Sequence, residues 1–376
     1  MKKIIVLAIV IVAALFAGIK RLELVRAHDP VSFAKTDFAS LPAWNDDNHN
    51  EALLAFLNSC QEILRRPPNN KDNTASWQAA CNAAAKVNPE TPEAARIFFE
   101  AWFEPYRIND ASRPAGLFTG YYLPLLHASL TPDQRYHVPI YGLPNDLVKI
   151  NLGLFRPTLA GVTIIAREYN HQLLPYPDRL GITQGQIDKT AKILAWADNE
   201  IDVFFAQIQG SALLQLPNGE RMMISYAGTN GQPYTAIGKV LIEKNALEKK
   251  NVSMQTIRQW LEQHPLAVNE VLNRNASYVF FNLSKALIPS GSEQVPLLPM
   301  RSLAVDNSVI PLGAPLWLNT PQLQRLMIAQ DTGGAIKGGA RADVYWGEGN
   351  DAALNAGTMQ SPGELWILLP RQGTPS

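Results

Sequence analysis

A chain of 376 residues that is 47% hydrophobic and 18% charged, with 33 basic against 33 acidic side chains, has room for two domains and the make-up of a packed globular protein. Those values exclude a disordered chain, a collagen-like repeat and a disulfide-packed miniature scaffold. Residues 1–26 hold five basic side chains and one acidic, which leaves 28 basic and 32 acidic in the remainder and no basic block of nucleic-acid-binding size.

The chain opens with Lys2-Lys3, an unbroken apolar run over residues 4–19, and Lys20-Arg21. A charged start followed by an apolar core reads as an export signal. Sixteen residues is short for a spanning helix, which needs about 20, although flanking lysines can snorkel. Cleavage-site residues near Ala17 and Ala27 fit poorly, and no cysteine near residue 20 could take a lipid. Residues 1–28 are therefore expected to be an uncleaved anchor that ties a periplasmic body to the membrane. The alternative is a cleaved signal peptide and a soluble periplasmic protein.

Residues 30–110 read as mostly helical, with apolar residues at helical spacing over 51–66, 75–87 and 94–102. Cys60 and Cys81 fall in the first two of these segments. An even pair in an exported chain points to one disulfide stapling a helical hairpin, with two buried free thiols as the alternative.

After Arg113-Pro114 the texture changes to short strand-like pieces at 116–122, 138–141, 161–165, 203–209 and 221–226, then helical stretches at 239–252 and 254–267. From Ser277 onward the chain is again strand-rich. Short strands separated by many turn residues suggest barrels rather than a doubly wound sheet.

No zinc-ligand spacing, G-x-S-x-G elbow or phosphate-binding loop is present, and the six histidines are scattered, so neither metal nor cofactor is implied. The candidates for chemistry are three aspartates of the C-terminal third: Asp306 after 303–305, Asp331 before Thr332-Gly333-Gly334, and Asp343 inside Arg341-Ala342-Asp343-Val344-Tyr345-Trp346. With period two, Asp343 shares a strand face with Tyr345, and Ala342, Val344 and Trp346 share the other. A desolvated carboxylate there would stay protonated near neutral pH, as a general acid must.

These stretches resemble the membrane-bound lytic murein transglycosylase A family. The likeness rests on Asn275-Ala276-Ser277-Tyr278-Val279-Phe280-Phe281, Ser302-Leu303-Ala304-Val305-Asp306-Asn307-Ser308, Gln330-Asp331-Thr332-Gly333-Gly334-Ala335-Ile336-Lys337-Gly338 and Asp343-Val344-Tyr345-Trp346-Gly347. Upstream, Phe118-Thr119-Gly120-Tyr121-Tyr122, Gln207-Ile208-Gln209-Gly210-Ser211 and Tyr226-Ala227-Gly228-Thr229-Asn230 are also similar. The resemblance implies a mainly β fold with a helical N-terminal segment. Residues 29–120 and 256–376 would form a double-psi β-barrel, and 121–255 a second, inserted β-barrel, with peptidoglycan glycan strands in the groove between them.

The resemblance also implies Asp343 as the single catalytic acid and base, Asp331 as its support and Asp306 as structural. Sugar contacts would come from Thr119, Gly120, Tyr121, Gln209, Gly210, Ser211, Gly334 and Lys337. The reaction would be non-hydrolytic glycan cleavage to 1,6-anhydro-N-acetylmuramic acid, with other cell-wall enzymes as partners. Ala212 stands where the family usually has glycine, and the lipid-anchor cysteine of some members is missing. Two rival readings are a silent murein-binding scaffold and an aspartic peptidase, the latter prompted by Asp331-Thr332-Gly333; its chemistry needs a second such aspartate.

Overall fold

The computed structural model describes residues 31–67, 73–88 and 91–372. The expected anchor at 1–28 lies outside these residues. No helix among the described residues is long and apolar enough to cross a membrane.

The chain runs through β1 (Ser32–Lys35), the helices α1 (His49–Ile63), α2 (Thr74–Ala84) and α3 (Pro92–Trp102), then β2 (Phe103–Asn109) and β3 (Leu117–Leu123). The middle carries β4 (Leu125–Ser129), β5 (Val138–Tyr141), β6 (Leu147–Asn151), β7 (Thr163–Tyr169), β8 (Gln172–Pro175), α4 (Arg179–Thr183), β9 (Ile193–Ala197), α5 (Glu200–Gln209), β10 (Ser211–Gln215) and β11 (Arg221–Thr229). It continues with α6 (Ile237–Glu243), α7 (Met254–Gln263), α8 (Val268–Asn273) and β12 (Val279–Ser284). The last part holds β13 (Ser302–Val305), β14 (Pro315–Asn319), β15 (Gln324–Thr332), β16 (Arg341–Glu348), α9 (Gly349–Thr358), β17 (Gln360–Ser361) and β18 (Glu364–Pro370).

The strands form a nine-stranded mixed sheet in the order β1-β2-β18-β14-β15-β13-β16-β3-β17, a six-stranded mixed sheet β12-β11-β10-β4-β9-β5, and a three-stranded sheet β6-β7-β8. Every residue of β13 is buried, as expected of a strand covered on both faces. Helix α1 packs on the neighbouring strand β15, and its Leu53, Phe56, Cys60 and Ile63 recur at spacings of three and four and are almost fully buried. Around Phe56 the rings of Phe98, Phe99 and Phe103 stand with centroids 5.6–6.1 Å away. Cys60 and Cys81 form a disulfide that joins α1 to α2. At the other end of α1 the buried guanidinium of Arg301 makes two 2.8 Å hydrogen bonds to Asp47 and one of 2.9 Å to Glu51, fixing the start of the helix to the large sheet. A buried charge needs such pairing.

Several expectations are corrected. Helices run through the whole chain, so the fold is mixed rather than mainly β with a helical start. Among the described residues the pairings of the nine-stranded sheet run from edge to edge, while in the six-stranded sheet a parallel bridge between Gly142, just past β5, and Phe281 of β12 joins the two edges. Residues 203–209, expected as a strand, form α5. Its apolar run is buried almost all round, so neither period shows, while Asn199 caps its start and Gly210, at φ 82°, closes it. Residues 103–109, expected as helix, are β2. The six-stranded sheet includes β12, so it reaches past residue 255 to Ser284; α7 and α8 share one core with α5 and α6.

Candidate functional site

On the nine-stranded sheet, Ala304 of β13 pairs with Asp331 of β15 on one side and with Asp343 of β16 on the other. Asp343 in turn pairs with Thr119 of β3, and two residues further Tyr345 pairs with Tyr121. Residues opposite one another in register share a sheet face. The two aspartates, Ala304 and Thr119 therefore form one row across four strands, backed by Tyr121 and Tyr345, whose ring centroids are 5.2 Å apart. The other face of β16 buries Ala342 and Val344 completely in the main core, which gives the row a rigid floor.

A bulge at Gln330 sets this register, because Leu303 pairs with Ala329 and Ala304 with Asp331. The displaced Gln330 side chain is buried and donates to the carbonyl of Ala55 at 2.9 Å and to Ser59 Oγ at 3.0 Å.

Asp343 accepts hydrogen bonds from the Thr119 hydroxyl and the Arg341 guanidinium. Arg341 also donates to Thr119 Oγ1 at 3.0 Å and to the carbonyl of Ala342 at 2.8 Å, so the three side chains form a closed triangle. Asp343 is partly open to solvent, its side chain 21% exposed. An isolated, desolvated carboxylate was expected here; the structure gives it an ion-pair partner two residues away on the same strand face.

Asp331 accepts from the backbone N–H of Ser292 at 2.9 Å, the Ser292 hydroxyl at 2.9 Å and the N–H of Thr332 at 2.8 Å. Burial pushes its carboxyl upward while these donors oppose the shift. The Tyr121 hydroxyl, buried and without a hydrogen bond of ordinary geometry, is raised well above the usual phenol range by burial and then by the nearby Asp331 charge.

The segment carrying Ser292 is held from below. Glu293 accepts from Ser59 Oγ at 2.6 Å and Arg66 Nη2 at 3.0 Å, and its own N–H donates to the carbonyl of Gln330 at 3.1 Å. Burial pushes the Glu293 carboxyl up to about 7.

Asp306 and Asp110 hold the loop between β15 and β16. Asp306 accepts from Gly338 N–H at 2.9 Å and from Ser308 Oγ at 2.7 Å, and Asp110 accepts from Gly339 N–H at 3.0 Å. Burial raises both carboxyls, but the donors outweigh it and hold each below the usual carboxylate range. Gly338, at φ 93°, approaches so closely that a Cβ would lie 2.5 Å from Asp110 Oδ2.

Of the residues expected to bind sugar, Thr119 and Tyr121 join the row. Gly120 does not: a Cβ there would lie 2.6 Å from Ala356 Cα, so its missing side chain lets α9 pack on β3. Gln209 accepts from Tyr122 N–H at 3.1 Å and ties the end of α5 to β3, with Gly210 and Ser211 leading from that junction into β10. Gly334 is exposed with open space around it, and exposed Lys337 exerts its charge on Asp306. A cavity of about 1060 Å³ lies elsewhere, between α1, α2 and β18, and holds none of the three aspartates.

Arg341, Ala304 and Ser292 were missed from the sequence. Period two from Asp343 would have found Arg341. The other two depend on strand order and a distant loop, which the sequence does not display.

The family model of the MltA specific insert domain matches residues 117–282, and that of the 3D domain matches residues 301–369. A membrane-bound lytic murein transglycosylase A of Vibrio cholerae is 35% identical over 67% of this chain and 65% of its own length, so the match spans just under two thirds of that protein. The protein of the same name from Escherichia coli K12 is 34% identical over 85% of this chain and 82% of its own. The crystal structure of a membrane-bound lytic murein transglycosylase from Agrobacterium tumefaciens superposes with a TM-score of 0.81 at 34% identity, covering 90% of this chain and 98% of that one. E. coli MltA with bound chitohexaose gives 0.67 at 28% identity, covering 92% and 96%.

Proposed function

Because the chain belongs to the membrane-bound lytic murein transglycosylase A family, we propose that it cleaves the β-1,4 bond between N-acetylmuramic acid and N-acetylglucosamine in peptidoglycan, with Asp343 as acid and base. The observation that carries this reading is the side-chain row Asp331, Ala304, Asp343 and Thr119, in which one carboxylate is open and flanked by donors.

In the first half of the reaction a protonated Asp343 gives its proton to the glycosidic oxygen as the bond to C1 breaks. In the second, the carboxylate accepts the proton of the C6 hydroxyl as that oxygen closes on C1, which yields the 1,6-anhydro ring and restores the acid. Attack from within the same sugar carries a large effective molarity, so no second carboxylate has to activate water. The Arg341 guanidinium and the Thr119 hydroxyl are placed to hold the carboxylate form between the two proton transfers. Asp331 starts two strand spacings from Asp343, about 9.5 Å between Cα atoms. Its carboxylate is tied to Ser292, which suits a supporting role and not a shared-proton peptidase pair.

We read the nine-stranded sheet as the family's double-psi β-barrel and the six-stranded sheet as the inserted barrel. The glycan groove runs along the junction where Gln209 meets β3; the chitohexaose bound to E. coli MltA supports a glycan as the ligand. Gly334, Lys337, Gly210 and Ser211 remain candidates to hold sugar oxygens. Residues 1–28 anchor a periplasmic body. Incubation with purified sacculi should release muropeptides with anhydro ends; release of reducing ends alone would contradict the reading.

A further inference from the structure

The three-stranded sheet β6-β7-β8 leaves an apolar surface without a partner among the described residues. Its register puts Val148, Ile150, Ile164 and Leu173 on one face, together with Ala166 and with Glu168 opposite Leu173. Leu147 and Ile165, on the other face, pack against the core around Tyr176 and Phe280. The outer face is covered at Ala166 but open at Ile164, 44% exposed, and at Leu173, 57%. The connection between β6 and β7 ends in a tip where Leu154 is 83% and Phe155 73% exposed. Scattered exposed apolar residues are ordinary, but a contiguous set on a projecting tip marks a contact surface.

Charge identifies the partner. The segment holds three basic side chains between Asp146 and Glu168: Lys149 and Arg167 lie on the face of Leu147 and Ile165, and Arg156 adjoins Phe155 at the tip. Lys149 and Arg156 are exposed and have no ion-pair partner among the described residues. A second copy of the chain would set two such basic tips against each other. A glycan would find few hydrogen-bonding groups between the aliphatic side chains. An anionic bilayer surface takes both features at once, the apolar side chains at the acyl boundary and the cations among the headgroups. The sequence also brings a bilayer within reach, since eleven residues separate the apolar run at 4–19 from Val31, a span of at most about 40 Å when extended.

We infer that the β6–β7 tip is a second membrane contact that seats Leu154 and Phe155 in an anionic phospholipid leaflet. It rests on the reading that residues 4–19 keep the chain at a membrane, and it orients the body on that membrane independently of the catalytic residues.

The test uses the full chain, whose only two cysteines are joined as a disulfide, so that a single introduced thiol is labelled uniquely. Phe155→Cys carrying an environment-sensitive fluorophore is mixed with vesicles of phosphatidylethanolamine and phosphatidylglycerol, with and without nitroxide lipid, and Gln324→Cys serves as the control. The expected result is a blue shift and nitroxide quenching at 155 and neither at 324. Exchanging Lys149 and Arg156 for Gln should weaken the effect about fivefold per charge, and phosphatidylcholine vesicles should weaken it likewise. Co-sedimentation of the chain with an unquenched tip would overturn the inference while leaving the anchor reading intact; failure to sediment would overturn both. A blue shift that appears without lipid, either rising with protein concentration or on adding glycan strands, would assign the surface to a second copy or to substrate and likewise overturn it.

Discussion

Asp331 and Asp343 stand opposite the same residue, Ala304, from the two strands that flank it. Two carboxylates twelve residues apart in the chain are thereby put in one row, separated by a single methyl group. The row depends on a one-residue bulge at Gln330, and the bulge on a buried network reaching back to α1.

Ala304 is buried and small because anything larger would fill the space between the aspartates. Ala304→Val should lower turnover on sacculi by tenfold or more while destabilising the fold by about 1–3 kcal/mol, the usual range for overpacking. Thermal melts beside turnover measurements check this; unchanged turnover would show that the space is not used.

Arg341→Gln removes the charge beside Asp343 and keeps a donor of similar length. The pair is partly exposed, so the stability loss should stay below about 1 kcal/mol. Turnover should fall far more, by about a hundredfold, with substrate affinity little changed, because the guanidinium acts between the two proton transfers. Equal losses in affinity and turnover would instead mark Arg341 as a sugar ligand.

Glu293 gives a pH signature of unusual sign. Its carboxyl, ordinarily near 4.5, is raised by burial to about 7 in the folded chain. Between those values the folded state holds the proton more firmly than the unfolded state. The stability from this group is therefore present at low pH and lost as pH rises through about 7. The span is on the order of 3 kcal/mol. Glu293→Gln should flatten that slope, read as the difference between variant and parent melting curves from pH 4.5 to 8. A parallel pair of curves would show that Glu293 does not titrate in this range.

Reduction should loosen the helical cover over the same network. The Cys60–Cys81 bridge closes a sequence separation of 21 residues, worth about 3 kcal/mol in the chain-entropy picture. Cys60→Ser with Cys81→Ser should lower the melting temperature by several degrees. Retention of the parent melting temperature would place the stability of α1 in its packing alone.

The sequence displayed the local parts of this architecture well and the assembled parts poorly. Helices α1, α2 and α3 were legible because one face of each is buried and the other wet, so periodicity shows; most C-terminal strands, buried along most of their length, were legible as short apolar runs between turn residues. Segment α5 was not, since Val203, Phe204 and Phe205 are all buried and hide the period. The three aspartates were legible as candidates from their strand context and motifs. Arg341 lay two residues from Asp343 in plain view. Ser292, Ala304 and Glu293 reach the site through sheet order and a loop 39 residues from Asp331, information that no local pattern carries.

The most direct test of the central claim is the Asp343→Asn chain on purified sacculi, with anhydro-muropeptides quantified and glycan binding measured in parallel. Asn preserves the shape of the carboxylate and can still meet Thr119, but it cannot deliver or accept the proton. Product formation should fall by at least 10²–10⁴-fold, with binding and melting temperature close to the parent. Asp331→Asn should retain measurable turnover. Near-normal turnover in Asp343→Asn together with loss of activity in Asp331→Asn would contradict the assignment and make Asp331 the acid.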